Sequence, residues 1–181
     1  MIAKQFIPAD RLVRDAFELA RKVYDSGFRP EGLLVLWRGG TPVGIVVHEF
    51  LLFKGIETYH LAVKAESYTG IGERVEPRIE QIDVFVKNIR PDAPVLVVDD
   101  IFDTGRTLYK VLGMLSPRTR NVKIATLFYR PGAGQVPLKP DYHLRTTDRW
   151  IVFPHELMGL TESEIRAKDP AIHRTLFGPG V

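Results

Sequence analysis

The chain lacks cysteine altogether in its 181 residues. This absence excludes a disulfide framework, a thiolate nucleophile and a zinc site with cysteine ligands. No apolar run reaches the roughly 18 residues that a membrane-spanning helix needs. The first residues, Met1–Phe6, lack the layout of a signal peptide. We therefore expect a cytoplasmic protein.

The chain also lacks a large net charge of either sign. Lys and Arg number 25 against 22 Asp and Glu, which gives a net charge of +3. This excess is too small to predict nucleic-acid binding, but it suits an anionic small molecule held in one basic cleft. With 45% apolar and 26% charged residues, the composition excludes a collagen-like or largely disordered chain. At about 150 residues per domain, the length predicts one domain over residues 1–181.

Strand and helix signals alternate along the chain. Apolar runs and short extended pieces predict strands at residues 32–37, 58–63, 95–98, 122–129, 142–146 and 150–153. Helical spacing predicts helices at 10–27, 43–53 and 105–115, and a capping box at 161–164 predicts the start of a last short helix. Residues 66–80 have no steady period and indicate a long mobile loop or an irregular hairpin. The alternation predicts an α/β fold, with a parallel sheet and helices on both faces.

The most informative segment covers residues 97–108 and reads V-V-D-D-I-F-D-T-G-R-T-L. We expect Asp99 and Asp100 to follow a strand and face solvent at the sheet edge where open α/β sheets bind ligands. The turn after them opens a helix, whose first N–H groups form an anion site, and Gly105 lets the backbone approach a phosphate. Simple helix capping does not account for two acids followed by D-T-G-R-T. The segment therefore predicts a phosphorylated sugar as ligand.

This segment resembles the phosphoribosyl-diphosphate (PRPP) motif of the type I phosphoribosyltransferases. The resemblance implies that Asp99 and Asp100 bind the ribose hydroxyls. It implies a 5′-phosphate turn made of Asp103, Thr104, Gly105, Arg106 and Thr107. Asp103 would also be the catalytic acid/base, because the matching family position contacts purine N7. We expect neighbouring carboxylates, helped by partial burial, to raise the pKa of Asp103.

Two further segments resemble parts of the same family. Residues 37–40 read W-R-G-G and are similar to the pyrophosphate loop, which assigns pyrophosphate binding to Arg38, Gly39 and Gly40. In the family this loop often contains a non-proline cis peptide. Ser67 and Tyr68 stand where related enzymes carry a Ser-Tyr pair on a flexible lid over PRPP. The resemblance thus implies the type I phosphoribosyltransferase fold, which is Rossmann-like, with a flexible lid loop and a small hood.

The base-binding segments point to a subfamily. Residues 147–156 resemble the W-I-x-x-P-W-[DE] segment of the bacterial and archaeal xanthine–guanine type of purine phosphoribosyltransferase, with His155 where that segment often has Trp. The resemblance implies that Trp150 stacks on the purine, that the backbone of Ile151 reads the base edge, and that Glu156 lies near the base or the metal. Residues 125–134 resemble the strand and loop that carry the family's purine-reading Lys, and this sequence has Arg130 there, whose planar fork differs from that Lys. A core aromatic and a surface Arg are the structural alternatives for Trp150 and Arg130.

These matches together predict a purine phosphoribosyltransferase. It would transfer the phosphoribosyl group of PRPP to N9 of a 6-oxopurine (guanine, hypoxanthine or xanthine) in purine salvage, and release pyrophosphate. The expected cofactor is Mg²⁺, held mostly through PRPP and water, with Asp99, Asp100 and Glu156 as candidate ligands. We expect a core at residues 32–156, a C-terminal extension at 157–181 and a homo-oligomer, either dimer or tetramer.

Two other hypotheses remain open on the same fold. One is a PRPP-sensing regulator that binds nucleic acid, against which the chain shows no basic tract. Asp103 also argues against it, because a family of pyrimidine RNA-binding regulators has a different residue there. The other is a phosphoribosyltransferase with a non-purine acceptor, which Trp150 and the W-I-x-x-P segment disfavour.

Overall fold

The computed structural model describes residues 4–66 and 76–178. Contacts within the chain define two compact units: a smaller unit made of Met1–Leu12 and Arg149–Val181, and a larger unit made of Val13–Asp148. Each unit contains its own sheet. Residues from 149 onward belong with the N-terminus because the strand at 150–152 pairs with the strand at 4–6. This division differs from the expected core and extension, and the single domain stays a prediction.

Eight strands and six helices are present in the described residues. The strands are β1 (Lys4–Phe6), β2 (Gly32–Trp37), β3 (Tyr59–Glu66), β4 (Arg78–Glu80), β5 (Val95–Phe102), β6 (Val122–Tyr129), β7 (Tyr142–Thr146) and β8 (Trp150–Val152). The helices are α1 (Ala9–Asp25), α2 (Gly40–Phe53), α3 (Ile82–Asn88), α4 (Arg106–Leu115), α5 (Glu162–Lys168) and α6 (Pro170–Phe177). None of the described helices is long and apolar enough to cross a membrane.

The larger unit is built on a six-stranded sheet in the order β4-β3-β2-β5-β6-β7. All neighbouring strands are parallel except β4, which pairs antiparallel with β3. Strand β3 lies on one side of β2, and β5, which comes later in the chain, lies on the other side. The strand order therefore reverses between β2 and β5, and a sheet of this kind has its ligand crevice at such a point.

Helices cover both faces of this sheet, as the alternation predicts. Alternate strand residues, including Leu34 and Val97, pack in one buried apolar cluster with side chains of α3 and α4. On the opposite face α2 lies so close that a Cβ built on Gly44 would be 2.5 Å from Cγ2 of Val35. The α/β fold with a mostly parallel sheet is confirmed.

Several boundaries differ from the predictions for physical reasons. Strand β5 continues to Phe102 because the two acids of the motif still pair with β6 or lie between paired residues. Helix α2 begins at Gly40 rather than 43, and Pro42 fits in its first turn because N–H groups there need no helical partner. The β3–β4 pairing from Lys64↔Glu80 to Glu66↔Arg78 favours the hairpin interpretation for the described ends of that segment. Helix α3 was not predicted.

The smaller unit contains a parallel two-stranded sheet, β1 and β8, followed by α5 and α6. The N–H of Ile7 extends the pairing by donating to the carbonyl of Val152 at 3.0 Å. The predicted capping box is confirmed, with Thr161 and Glu164 bonded reciprocally at the start of α5. Helix α6 was missed, although its Asp169 cap followed by Pro170 is a recognisable start signal.

Candidate active site

Three loops meet at the edge of the six-stranded sheet where β2, β5 and β6 end. Because these strands are parallel, their carboxyl ends share one edge. The loops carry Arg38–Gly40, Asp103–Thr107 and Arg130. Three of the predicted site segments therefore flank the point where the strand order reverses.

The loop after β2 lies directly against the acid pair of β5. A Cβ built on Gly39 would be 2.0 Å from Oδ2 of Asp100, and one built on Gly40 would be 2.6 Å from the carbonyl oxygen of Val98. Both positions therefore require glycine in this arrangement. The peptide bond between Trp37 and Arg38 is cis, as the resemblance implied. The glycine loop and the acid pair form one continuous surface.

Asp99 and Asp100 lie within β5 and not after it. The expectation that both side chains face solvent is wrong, because Asp100 is only 8% exposed beneath the glycine loop. Asp99 still reaches solvent in part, yet burial raises its pKa to about 7. Hydrogen bonds from the N–H groups of Asp100 and Gly40 to the Asp99 carboxylate act in the opposite direction. A bound cation or hydroxyl donor would favour the ionised form of this acid.

Asp99→Asn tests this burial through the pH dependence of stability. Because the folded-state pKa is about 7 and the ordinary value is 3.8, the folded chain binds more protons between these values. This acid therefore costs stability progressively as pH rises through that window. The Asn variant should be more stable than wild type at about pH 8, with the difference shrinking toward about pH 4. Urea unfolding at both pH values measures the effect, and a variant less stable at the higher pH would contradict it.

The turn after β5 presents backbone donors at the start of α4. Gly105 precedes the helix with a φ of 76°, a left-handed conformation that favours glycine. A Cβ there would also lie 2.5 Å from Cζ of Phe102. The N–H of Gln135 donates to the carbonyl of Thr104 at 2.9 Å and holds the turn from outside. The N–H groups of residues 105–107 thus open a helix in the manner of a phosphate site.

Asp103 pairs with the cation that was predicted to read the base. Nε of Arg130 lies 3.1 Å from Oδ1 of Asp103, and that oxygen is buried without a well-formed hydrogen bond from any described residue. Burial raises the pKa of Asp103, while the charge of Arg130 lowers it. The expected rise of this pKa through partial burial is confirmed, but the expectation that neighbouring carboxylates cause it is wrong. Burial and the charge of Arg130 thus act on the pKa of Asp103 in opposite directions.

A pocket of about 620 Å³ opens beside Arg130 in the larger unit. Its other walls are the turn at Pro131–Ala133, Thr146 at the end of β7, and Thr147 and Asp148 directly after it. The N–H of Thr147 donates to the carbonyl of Tyr129 at 3.0 Å, which ties the ends of β7 and β6 together. Sequence reasoning assigned no site role to Thr146, Thr147 or Asp148, although their position at the end of a predicted strand was a usable signal. The pocket is large enough for a planar heterocycle.

Trp150 lines a separate pocket of about 620 Å³ within the smaller unit, together with Glu156, Lys4 and Glu164. Its side chain is 48% exposed, so the alternative of a core aromatic is wrong. The side chain of Ile151 is buried, which leaves only its backbone for a ligand. Lys4 and Glu164 were not predicted as pocket residues, and their ion pair of 2.7 Å closes one side.

The acid pair is the best-placed candidate for a cation. No group of three or more His, Asp or Glu side chains in the described part of the chain is arranged to hold a metal. Mg²⁺ that arrives with a diphosphate needs only one or two carboxylates, so Asp99 and Asp100 fit it. Glu156 accepts the N–H of Phe153 at 3.0 Å, and its role as a metal ligand stays a prediction. Ser67 and Tyr68 lie outside the described residues.

Part of the chain is similar in sequence to curated proteins. The chain is 36% identical over 90 residues to hypoxanthine-guanine phosphoribosyltransferase of Lactococcus lactis subsp. lactis, a match covering 50% of this chain and 43% of that protein. The chain thus spans about half the length of the curated relatives it matches.

Two solved structures cover far more of the chain. Purine phosphoribosyltransferase from Pyrococcus horikoshii is similar over 87% of this chain and 97% of its own, with 26% identity and a TM-score of 0.67. Xanthine-guanine-hypoxanthine phosphoribosyltransferase from Helicobacter pylori is similar over 83% and 91%, with 25% identity and a TM-score of 0.62.

One protein-family model matches a range of this chain that includes both the glycine loop and the acid pair. It is the model described as the phosphoribosyl transferase domain, and it matches residues 10–158. That range also includes the turn before α4 and the W-I-x-x-P segment. The chain therefore belongs to the phosphoribosyl transferase domain family.

Proposed function

We propose that the chain is a purine phosphoribosyltransferase. It transfers the 5-phosphoribosyl group of PRPP to N9 of a 6-oxopurine (guanine, hypoxanthine or xanthine), in purine salvage, and releases pyrophosphate. One observation carries the proposal: Gly39 and Gly40 lie against Asp99 and Asp100 at the reversal point of the sheet. The names of the similar proteins from Lactococcus lactis, Pyrococcus horikoshii and Helicobacter pylori support a purine as acceptor.

PRPP would bind across this edge with each part on a different segment. The ribose hydroxyls donate to Asp99 and Asp100, and the 5′-phosphate accepts N–H bonds from the turn at 103–107. The diphosphate lies on the loop Arg38–Gly40, where glycine N–H groups and one guanidinium neutralise charge that grows as the group leaves. Mg²⁺, bound at Asp99 and Asp100 with the diphosphate, would supply further charge neutralisation.

The transfer exchanges one bond at the sugar for another. The bond between C1 and the diphosphate oxygen breaks with the electron pair on oxygen, and N9 of the purine forms the new bond to C1. The proton that the purine ring loses moves to the carboxylate of Asp103. Burial of Asp103 raises its pKa and so makes it a better proton acceptor, while Arg130 keeps it from being protonated beforehand.

Each of the two units contains residues with the chemistry to recognise a base. Trp150 offers an exposed face for stacking, and Ile151 offers backbone groups at the base edge. Arg130 lies in the wall of the larger unit's pocket and can donate to the 6-oxo group. We further propose that Ser67 and Tyr68 belong to a lid over PRPP and that the active form is a homo-oligomer.

Arg130→Met should narrow the preference for 6-oxopurines over adenine. The change removes the donor and keeps much of the apolar stem, so kcat/KM for guanine and hypoxanthine should fall by about 10-fold or more. Adenine should lose far less, because its amino group gains nothing from a donor. Arg130→Lys is the matched control and should keep the preference. An unchanged guanine-to-adenine ratio in folded Arg130→Met would show that another group reads the base.

A pyrophosphate-release assay tests the proposed function. The purified chain is incubated with Mg²⁺, PRPP and guanine, hypoxanthine, xanthine or adenine separately, and a chelator serves as the metal control. We expect release with at least one 6-oxopurine, well above that with adenine, and loss of release with the chelator. No release with any base would contradict the proposal. Salt-dependent RNA or DNA binding without turnover would instead favour the regulator hypothesis.

A further inference from the structure

The last residue of α5 hydrogen-bonds to the turn that follows β8. Nζ of Lys168, the last residue of α5, donates to the carbonyl of Phe153 at 2.8 Å and also to the carbonyl of Glu156. The Lys168 side chain is only partly exposed, and burial lowers its pKa. One sheltered ammonium group thus binds both ends of the four-residue turn at 153–156.

The same turn is closed by two reciprocal hydrogen bonds. The N–H of Glu156 donates to the carbonyl of Phe153 at 3.0 Å, and the N–H of Phe153 donates to the Glu156 carboxylate at 3.0 Å. The carbonyl of Phe153 therefore accepts from both Glu156 and Lys168. Phe153 itself is buried, at 2% exposure, so the turn is anchored by packing as well as by hydrogen bonds.

Strand β8 leads directly into this turn. It has 3 residues and pairs with the 3-residue β1 in a two-stranded sheet. A two-stranded pair is marginal in water without further packing. Trp150 begins β8, and its pocket is completed by Glu156 of the turn. A loose turn would therefore let both the strand and its pocket vary.

We propose that Lys168 is a positioning residue that fixes the turn at 153–156 and, through β8, holds the Trp150 face and its pocket in the geometry that receives the base. The inference gives the tail beyond residue 157 a role in base affinity, and it rests on the proposed function for what Trp150 binds. It makes no use of the phosphosugar site, so it affects base binding and leaves PRPP binding alone.

Lys168→Met separates positioning from general stability by kinetics. It keeps the apolar stem and removes the donor. Because a charged donor to partly buried acceptors is lost, KM for the preferred 6-oxopurine should rise about 10-fold, with kcat and KM for PRPP changed less than about two-fold. Lys168→Arg retains a charged donor and should restore most of the affinity. Lys87→Met, an exposed lysine on α3, is the matched control and should resemble wild type.

A fluorescence measurement reads the same geometry without turnover. The sequence has 2 tryptophans, so the Trp37→Phe background leaves Trp150 as the reporter. In that background, Lys168→Met should make Trp150 of the free protein easier to quench with acrylamide, and Lys168→Arg should not. If Lys168→Met does not fold, Lys168→Gln, with a shorter neutral donor, takes its place with the same expected direction.

The outcomes distinguish the two proposals. Altered quenching together with a raised base KM supports both. Altered quenching in a chain that shows no turnover at all supports the positioning role and contradicts the proposed function. Unchanged quenching and an unchanged base KM in a folded variant would overturn the inference, as would a Lys168→Arg variant no better than Lys168→Met.

Discussion

Asp103→Asn is expected to lower kcat by ~10²–10⁴ while PRPP affinity stays near that of wild type. The carboxylate is the proposed proton acceptor, and an amide of nearly the same shape cannot take a proton at neutral pH. PRPP affinity should persist because the phosphate turn binds mainly through backbone N–H groups, which the substitution leaves in place. Steady-state kinetics and calorimetric titration with PRPP measure the two effects separately.

The control for this substitution is Asp83→Asn, which changes an exposed acid on α3. It should leave both kcat and PRPP affinity as in wild type. Near wild-type turnover in Asp103→Asn would leave Asp103 a structural residue of the turn, paired with Arg130 and without a role in proton transfer.

Gly39→Ala is expected to weaken PRPP binding by about 10- to 100-fold. The added Cβ would lie 2.0 Å from Oδ2 and 2.5 Å from Cγ of Asp100, so the loop or the acid must move. Gly39 has a φ of -65° and a ψ of -39°, which alanine adopts freely, so the substitution tests the close approach and not backbone strain. Calorimetry with PRPP and Mg²⁺ measures the loss.

Gly113→Ala provides the matched control for an added methyl group. A Cβ on Gly113 would meet nothing within 4 Å, and the residue lies inside α4. This variant should gain about 0.5–1 kcal/mol of stability, because alanine loses less backbone entropy than glycine on folding, and it should bind PRPP as wild type does. Wild-type PRPP affinity in Gly39→Ala would show that the loop is not held against the acid pair when the ligand binds.

Sequence patterns predicted the bounds of three strands of the six-stranded sheet well. The predicted strands at 32–37 and 122–129 match β2 and β6 at both ends, because a mostly apolar, buried run ends where burial ends. The strand at 142–146 matches β7 as well, although β7 is an edge strand with no buried residue. The prediction placed the acid pair after the strand because aspartate is uncommon inside strands. In the fold Asp100 stays in β5, since Gly39 covers it.

Other features depend on contacts between distant parts of the chain. The ion pair of Arg130 with Asp103 forms because β5 and β6 are neighbouring strands that both end at the site. The sequence around either residue does not indicate which residue it pairs with. The hydrogen bonds from Lys168 to the turn at 153–156 likewise join residues that share no local motif. Local patterns thus identified the motif residues and their edge of the sheet, while the tuning of Asp103 and the support of Trp150 required the folded structure.

Calorimetric titration of the wild-type chain with PRPP in the presence of Mg²⁺ tests the central claim most directly. The claim is that the edge between β2 and β5 binds a phosphorylated sugar. We predict equimolar binding that a nucleoside 5′-monophosphate competes away, because both ligands place a 5′-phosphate on the turn at 103–107. A folded chain that binds neither ligand would contradict the account.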